Sequence, residues 1–306
     1  MLKTIDTRNM SREEWLQHRR KAIGGSDAAA IAGLTKYGSP FTVWLDKLGR
    51  SEEKPESEAM RIGRDLEEYV AQRFTEKTGK KVRRRNAIIM NDLYPFAHAN
   101  IDREVVGESA ILECKTTNVL NLRKFRGGEY PANYYCQVMH YMAVTGAQKA
   151  YIAVLVLGDS FHVFEVERDE EEIHALMEIE RVFWDFVVQQ TEPPMTGQMC
   201  DSEIIKDLYP QSNGQKIELF GRAGQMERYL ELKKQIKELE ESAEEIANLI
   251  KQDLGENERG FDGDYTATWK TQSRSTFDAK AFKAAHPDAD LTPFYKTSSY
   301  RKFEIK

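Results

Sequence analysis

Four residues in one short stretch have types and spacing that could do chemistry. Asp102 closes the run Asn100-Ile101-Asp102, and Glu113-Cys114-Lys115 follows Ile111-Leu112. Read as two strands, the stretch brings an Asp, a Glu and a Lys together. Successive side chains on a strand point to opposite faces, so Glu113 and Lys115 share one face, while Leu112 and Cys114 pack inward from the other. Two carboxylates beside an ammonium make a site for a hard divalent cation. Such a cation prefers oxygen ligands, and Mg²⁺ usually takes one or two protein carboxylates. Glu-x-Lys on a strand is more often a solvated cross-strand pair, so the stretch gains meaning only from the elements that surround it.

Those elements can be read in chain order. Ser11-Arg12-Glu13-Glu14 is a capping box that opens a short helix through Trp15 to about Arg20. It ends in the basic cluster His18-Arg19-Arg20-Lys21, which also complements the helix dipole. Ile23-Gly24-Gly25-Ser26-Asp27 then reads as a tight turn with Ser26 or Asp27 capping a new helix. Free N–H groups there form an anion seat; Asp27 would oppose an anion, so Ser26 is the better contact. Ser39-Pro40 starts a helix that runs from Phe41 to Leu48. After a polar linker, a helix is expected from about Glu58 to Thr78, with Ile62, Leu66, Tyr69, Val70 and Phe74 as its buried stripe. Glu67 lies at the edge of that stripe, and Gly63, one turn earlier, leaves space above it. Glu68 lies further round, toward solvent.

Lys80 to Met90 reads as an edge strand with a basic start, Phe96 to Asp102 as the next strand, and Ala110 to Lys115 as the one after. Leu122-Arg123-Lys124-Phe125-Arg126-Gly127-Gly128 is basic and ends in a flexible turn. The helix from Pro131 to Thr145 carries Gln137 and Tyr141 one turn apart, hence on one face. Tyr151 to Leu157 is a buried strand, Phe161 to Val166 its hairpin partner, and Asp169 to Gln190 a long helix. Then the composition changes. Tyr229, Leu232, Ile236, Leu239, Ala243, Ile246 and Ile250 keep a 3-4 spacing, a coiled-coil seam that Gly255 ends. The tail, rich in Lys, Arg, Ser and Thr, reads as a strand from Tyr265, a short helix near Phe277 to Ala285, and a final strand from Tyr300 to Ile305.

The chain of 306 residues is 41% hydrophobic and 31% charged, a soluble globular composition with no apolar run long enough for a bilayer. Its first residues do not read as a signal peptide. Cys114, Cys136 and Cys200 have neither disulfide nor metal-ligand spacing, which fits a reducing cytoplasm. A net charge of −6 gives no global nucleic-acid signature, so any such contact must come from local basic patches.

The ordered set of helix with Glu67, strand with Asp102, strand Glu113-Cys114-Lys115 and helix with Gln137 and Tyr141 resembles the PD-(D/E)xK nuclease core. More narrowly, it resembles the phage lambda-exonuclease-like, YqaJ-type viral recombinase family. The matching pieces are Trp15 to Ser26, Gly63 to Glu67, Asn100 to Asp102, Glu113 to Lys115, Lys124 to Gly128 and Gln137 to Tyr141, spread over most of residues 10–195. The resemblance implies an α/β fold, a central mixed sheet flanked by helices, and hydrolysis of DNA phosphodiesters with two Mg²⁺ ions (or Mn²⁺). By the same resemblance Glu67, Asp102, Glu113 and the Cys114 carbonyl hold metal, and Lys115 positions and helps deprotonate the attacking water. Gln137 and Tyr141 support it, and Arg19 and Ser26 hold a 5′-phosphate. Asn100 stands where the exonuclease has a phosphate-binding Ser. The downstream Arg of that pocket has no direct match, with Arg123, Lys124 or Arg126 as substitutes.

The resulting expectation is a metal-dependent 5′→3′ double-strand DNA exonuclease of a phage or prophage, active in the bacterial cytoplasm. It would leave 3′ overhangs for a single-strand annealing protein and work as a homo-oligomer, with a trimeric ring favoured. Residues 1–200 would form the nuclease domain, 201–221 a linker, 222–255 a coiled-coil helix and 256–306 a basic strand and helix tail. The coiled coil and tail would dock the annealing partner or guide DNA. The rivals are a structure-dependent or nicking endonuclease on the same core, and a non-catalytic DNA-bound adaptor whose working part is the coiled coil. A Cas4-like iron–sulfur nuclease is disfavoured because the cysteines lack a four-ligand set.

Overall fold

The computed structural model of the chain describes residues 1–51, 55–287, 289–296 and 298–305, with Arg126 described in its backbone alone. It divides into two compact units, Met1–Leu208 and Tyr209–Lys306. The first contains β1 (Leu2–Asp6), α1 (Arg12–Arg20), α2 (Gly25–Ile31), α3 (Pro40–Lys47) and α4 (Glu58–Thr78). There follow β2 (Val82–Arg84), β3 (Ala87–Asn91), β4 (Tyr94–Ala99), β5 (Arg103–Val105) and β6 (Ala110–Thr117). A 3-10 helix, Val119–Gly128, leads to α5 (Ala132–Thr145), β7 (Lys149–Val156), β8 (Ser160–Glu167), α6 (Glu170–Gln189) and α7 (Met199–Leu208). The second unit holds α8 (Ala223–Leu254), the hairpin β9 (Arg259–Asp262) and β10 (Tyr265–Thr268), and α9 (Ala279–Ala285). No helix among the described residues is long and apolar enough to cross a membrane.

The central sheet has the order β2-β5-β6-β7-β8. Only β6 and β7 pair in parallel, with Glu113 opposite Ile152 and Lys115 opposite Val154. Parallel neighbours need a crossover, and α5 supplies it. The sheet is therefore mixed and covered on both faces. On one face Val70, Ala71 and Phe74 of α4 pack on Val105, Leu112, Tyr151 and Ala153. On the other, Val138, Met139 and Met142 of α5 pack on Ile111, Ile152 and Val154. This alternation explains β6: Leu112 turns to α4, while Ile111, Glu113 and Lys115 turn to the α5 side. In a second sheet, β1-β3-β4, the last strand holds the turn between α1 and α2 through the parallel bridge of Ile23 to Ala97.

Local signals set the element ends. Ser11 accepts from Glu14 N at 3.2 Å and the Glu14 carboxylate accepts from Ser11 N at 2.8 Å, a reciprocal cap. Ser39 caps α3 in the same way, ahead of Pro40. α4 and α5 end at Gly79 and Gly146 in the left-handed conformation, at φ 74° and 76°.

Several expectations are corrected. Tyr69 is 43% exposed, and Ala71 takes the buried place beside Val70. The strand expected to reach Asp102 ends at Ala99, and Asp102 occupies the turn into β5. β1 was not anticipated; it pairs with β3 from Leu2 opposite Asn91 to Asp6 opposite Ala87. The stretch 201–221 is not linker from its start. Helix α7 belongs to the first unit because Asp201 is buried there, accepting from Ser39 Oγ and, at 2.6 and 2.7 Å, from Thr196 N and Oγ1. Tyr300 to Ile305 forms no strand, since no strand among the described residues pairs with it. The expected seam lies on one helix, α8, whose seam residues other than Ala243 have 38% to 70% of their surface exposed.

Phe74 is fully buried, its ring 5.2 Å from that of Tyr151. Phe74→Ala should therefore cost about 3–5 kcal/mol, read as a lower urea midpoint at unchanged slope for the transition of the first unit.

Candidate active site

The hairpin of β5 with β6, and α5 above them, deliver the chemistry-bearing side chains to one place. Asp102, in the turn before β5, accepts from Cys114 N through Oδ2 at 2.7 Å, which fixes it beside the middle of β6. Glu113 projects from β6 toward α5. Its Oε1 accepts from Lys115 Nζ at 2.7 Å and from Gln137 Nε2 at 2.7 Å. Lys115 Nζ also donates to Gln137 Oε1 at 2.8 Å and lies 5.3 Å from the centre of the Tyr134 ring. Gln137 Nε2 reaches Tyr141 Oη at 3.0 Å, using the one-turn spacing seen in the sequence. The structure thus brings Asp102, Glu113, Lys115, Gln137 and Tyr141 together.

The second oxygen of Glu113, Oε2, is buried and has no hydrogen-bond partner. A buried carboxylate oxygen without a donor is costly. Burial, then the charges of Glu113 and Glu67, push the Asp102 carboxyl well above the usual carboxylate range. For Lys115, burial works against the charge, but Glu113 and Asp102 outweigh it and raise its pKa. As the site stands, Lys115 is a donor and not a base. An unpartnered buried oxygen and two carboxyl groups in mutual repulsion fit a divalent cation, which would satisfy the first and relieve the second.

Glu67 is differently placed. Its Oε1 accepts from Arg103, which is 2% exposed, and from Arg84 at 3.0 Å. Glu68 holds the other arm of Arg103 at 2.9 Å. Glu67 acts on Asp102 through its charge, yet among the described residues no three His, Cys, Asp or Glu side chains form one metal-holding group. The space beside Gly63 is met by Thr116: a Cβ there would lie 3.4 Å from its Oγ1. The Cys114 thiol turns toward the α4 core, and burial pushes it far up, so its backbone carbonyl is the one oxygen it can offer.

A second cluster adjoins the first. Arg19 Nη2 donates to Ser26 Oγ and to Asp27 Oδ1, both at 3.1 Å, and its guanidinium lies 5.2 Å from the Trp15 ring. Gly24, not Ser26 or Asp27, is the cap of α2. Asp27 Oδ2 accepts from Gly24 N at 3.0 Å and from Lys47 Nζ at 2.5 Å, and that ammonium also donates to Arg19 O. Burial opposes ionisation of Asp27, but Lys47 and Arg19 hold its carboxyl well below the usual range. The expected objection to an anion is therefore met: two cations surround the one carboxylate. Gly25 joins the clusters, since a Cβ there would overlap the Tyr141 ring at Cε1.

Beneath lies a buried pair. His140 Nδ1 meets Glu180 Oε1 at 2.8 Å, and Nε2 meets His98 O at 2.9 Å. Burial works against charge on His140, but Glu180 raises its pKa, while burial raises that of Glu180. His98 is buried against Gly24 with both ring nitrogens unpartnered; burial first, then the Lys47 charge, drive it down to about 3, so it is neutral. Asn100 is half-buried with Oδ1 unpartnered and, among the described residues, bonds to neither Arg19 nor Ser26. Lys124 and Arg123 are exposed on the 3-10 helix, whose Phe125 is buried. The Arg126 side chain lies outside the described residues. Lys47, Arg103 and His98 were not anticipated. Lys47 reads as an ordinary last-turn cation, and the other two show no pattern at all.

Known proteins give a consistent frame. A model of the YqaJ-like viral recombinase domain matches residues 14–148. The protein YqaJ of Bacillus subtilis (strain 168), described as uncharacterised, is 42% identical over 303 residues, covering 97% of this chain and 95% of that one. Two crystal structures of the alkaline exonuclease LHK-Exo of Laribacter hongkongensis are similar in fold. The one in complex with dAMP is 21% identical, with a TM-score of 0.51 over 64% of this chain and 97% of that one. The other is 20% identical, with the same TM-score over 64% and 100%. The fold is the expected one, a central mixed sheet flanked by helices, and these structures share it.

Two outcomes follow from this geometry. The Asp102 carboxyl titrates higher when folded than the roughly 3.9 of an unfolded Asp. Between the two values the native state binds more protons, so this group's contribution to stability falls as pH rises through that window. In chelator at neutral pH, Asp102→Asn should raise the melting temperature by a few degrees, and the gain should vanish at about pH 3, below the unfolded value. Gly25→Ala should force the Tyr141 ring aside, costing about 1–3 kcal/mol in chemical denaturation and lowering turnover by at least as much as Tyr141→Phe.

Proposed function

The chain belongs to the YqaJ-like viral recombinase family, and on that premise we propose that it is a metal-dependent DNA exonuclease that resects double-strand ends in the 5′→3′ direction. The observation that carries this reading is the division of labour on Glu113. One of its oxygens takes Lys115 and Gln137, and the other is buried and left without a donor.

Asp102, Glu113 and the Cys114 carbonyl would hold Mg²⁺ or Mn²⁺, with Glu67 completing a two-ion site once it is released from Arg103. When bound, such ions neutralise charge on the phosphodiester oxygens and make water a better nucleophile at neutral pH. Lys115, as an ammonium, donates to groups in the site and orients the water. It becomes able to accept a proton only when the charge of its carboxylate neighbours is neutralised. Gln137 keeps Lys115 and Glu113 in register, and the Tyr141 hydroxyl fixes Gln137.

Direction is supported by the adjoining cluster. Arg19 offers a fork suited to phosphate and Ser26 a hydroxyl, Lys47 adds charge, and Asn100 provides a further polar group. A terminal 5′-phosphate bound there would set the first phosphodiester over Asp102 and Glu113. Lys124 and Arg126 would contact the duplex backbone. Resection from such an end leaves a 3′ single strand, the substrate of a single-strand annealing protein, which is the proposed partner. A ring of three copies around the duplex would provide processivity.

The test is digestion of linear duplex with 5′-phosphoryl or 5′-hydroxyl ends in Mg²⁺, with a covalently closed circle alongside. Progressive loss is expected from phosphorylated ends, abolished by Lys115→Ala and by chelator. Arg19→Ala should erase the preference for phosphate by about 1.5–3 kcal/mol, roughly ten- to a hundredfold in rate. Cutting of the closed circle would replace the exonuclease reading by the endonuclease one. Binding without turnover would leave a DNA-bound adaptor.

A further inference from the structure

Helix α8 spans 32 residues, about 48 Å at 1.5 Å per residue. Its seam is exposed: Leu232 by 41%, Ile236 by 46%, Leu239 by 70% and Ile246 by 60%. Tyr229 at one end meets the Phe303 ring at 5.7 Å, while the rest of the face lies open, and exposed apolar residues at a sustained 3-4 spacing are a coiled-coil half-interface. The question is what covers it.

With Tyr229, Ile236, Ala243 and Ile250 at a positions and Leu232, Leu239 and Ile246 at d, the charged residues at the flanking e positions are Lys233 and Glu240, and the polar residues at the flanking g positions are Arg228, Gln235 and Ser242. Most other charges of the helix are engaged within it: Arg228 with Glu231, Lys234 with Glu238, Lys237 with Glu241 and Lys251 with Glu244. Among the described residues neither Lys233 nor Glu240 has an ion-pair partner in the chain. These two flank the seam one heptad apart and carry opposite signs.

We propose that α8 pairs with α8 of a second copy of this chain in an antiparallel coiled coil, centred between Ile236 and Leu239. In an antiparallel pair a residues face d residues, and e positions face e positions. That register sets Ile236 against Leu239 of the other copy, Leu232 against Ala243 and Tyr229 against Ile246. Each small or medium side chain meets a larger one, as close packing requires. Lys233 then faces Glu240 of the other copy, twice by symmetry, and Gln235 faces Ser242. The in-register parallel pair does neither. It sets Ala243 against itself, which leaves a void, and it brings Arg228 beside Lys233 of the other copy. The contact is two-fold and closed, so it joins two chains whatever assembly the first unit makes.

Sedimentation of the full chain at micromolar concentrations tests this, with helicity followed by circular dichroism. Wild type is expected to associate through this contact. Lys233→Glu sets a second carboxylate against Glu240 twice and should weaken association roughly tenfold or more. The double exchange Lys233→Glu with Glu240→Lys should restore it. In a parallel pair, Lys233→Glu would instead sit beside Arg228 and tighten association. Tighter association of Lys233→Glu, or one mass across all three forms at unchanged helicity, overturns the proposal.

Discussion

The structure of the first unit depends on carboxyl groups that are buried close together. Asp102 and Glu113 repel each other, and burial raises the cost of ionising Asp102. What makes the arrangement tolerable is a set of donors that act on selected oxygens only: Cys114 N on Asp102, and Lys115 and Gln137 on one oxygen of Glu113. Because the donors serve one side of Glu113, the protein concentrates uncompensated negative charge at the other. Electrostatic strain of this kind is what a cation-dependent site requires. Full neutralisation by side chains would stabilise the fold and remove the affinity.

The same logic appears inverted in the adjoining cluster. Asp27 is buried and fully served by Gly24 N, Lys47 and Arg19. Its role is to hold two cations in fixed positions at the head of α2, and the surplus there is positive. A negative surplus at Glu113 and a positive one at Arg19 are separated by little more than the Tyr141 ring, against which Gly25 lies too close for any side chain. The dipolar character of the site is thus fixed by backbone proximity, which a flexible loop could not maintain.

Much of this was legible in the sequence because it is periodic or local. The alternation in β6 separated Glu113 and Lys115 from Leu112, the one-turn spacing joined Gln137 to Tyr141, and capping boxes and glycines set helix ends within a residue or two. What escaped depends on distant partners. β1 has few apolar residues and exists because β3 offers it an edge. Conversely, Tyr300 to Ile305 has strand-like composition and no strand partner among the described residues. Strand propensity expresses fit to a neighbour more than to the chain itself. Lys47 and Arg103 look like surface cations in sequence. Only the tertiary fold shows that each is buried against a carboxylate, Asp27 or Glu67. Tyr69 falls outside the buried stripe because α4 turns the side of Ala71, opposite Tyr69 about Val70, onto the sheet.

The parallel pairing of β6 with β7 divides the labour of the chain. Glu113, Lys115, Gln137 and Tyr141 all come from a single strand–helix–strand unit, and Asp102 is added by one adjoining hairpin. Such a unit closes short loops, at little entropic cost. Arg19, Ser26 and Lys47 arrive from the far end of the chain and meet it through α2 on α5. The carboxylate cluster and the neighbouring cationic cluster are therefore built by separable parts of the chain. Substitutions within α1 to α3 can alter the cationic cluster while Asp102, Glu113 and Lys115 keep their places.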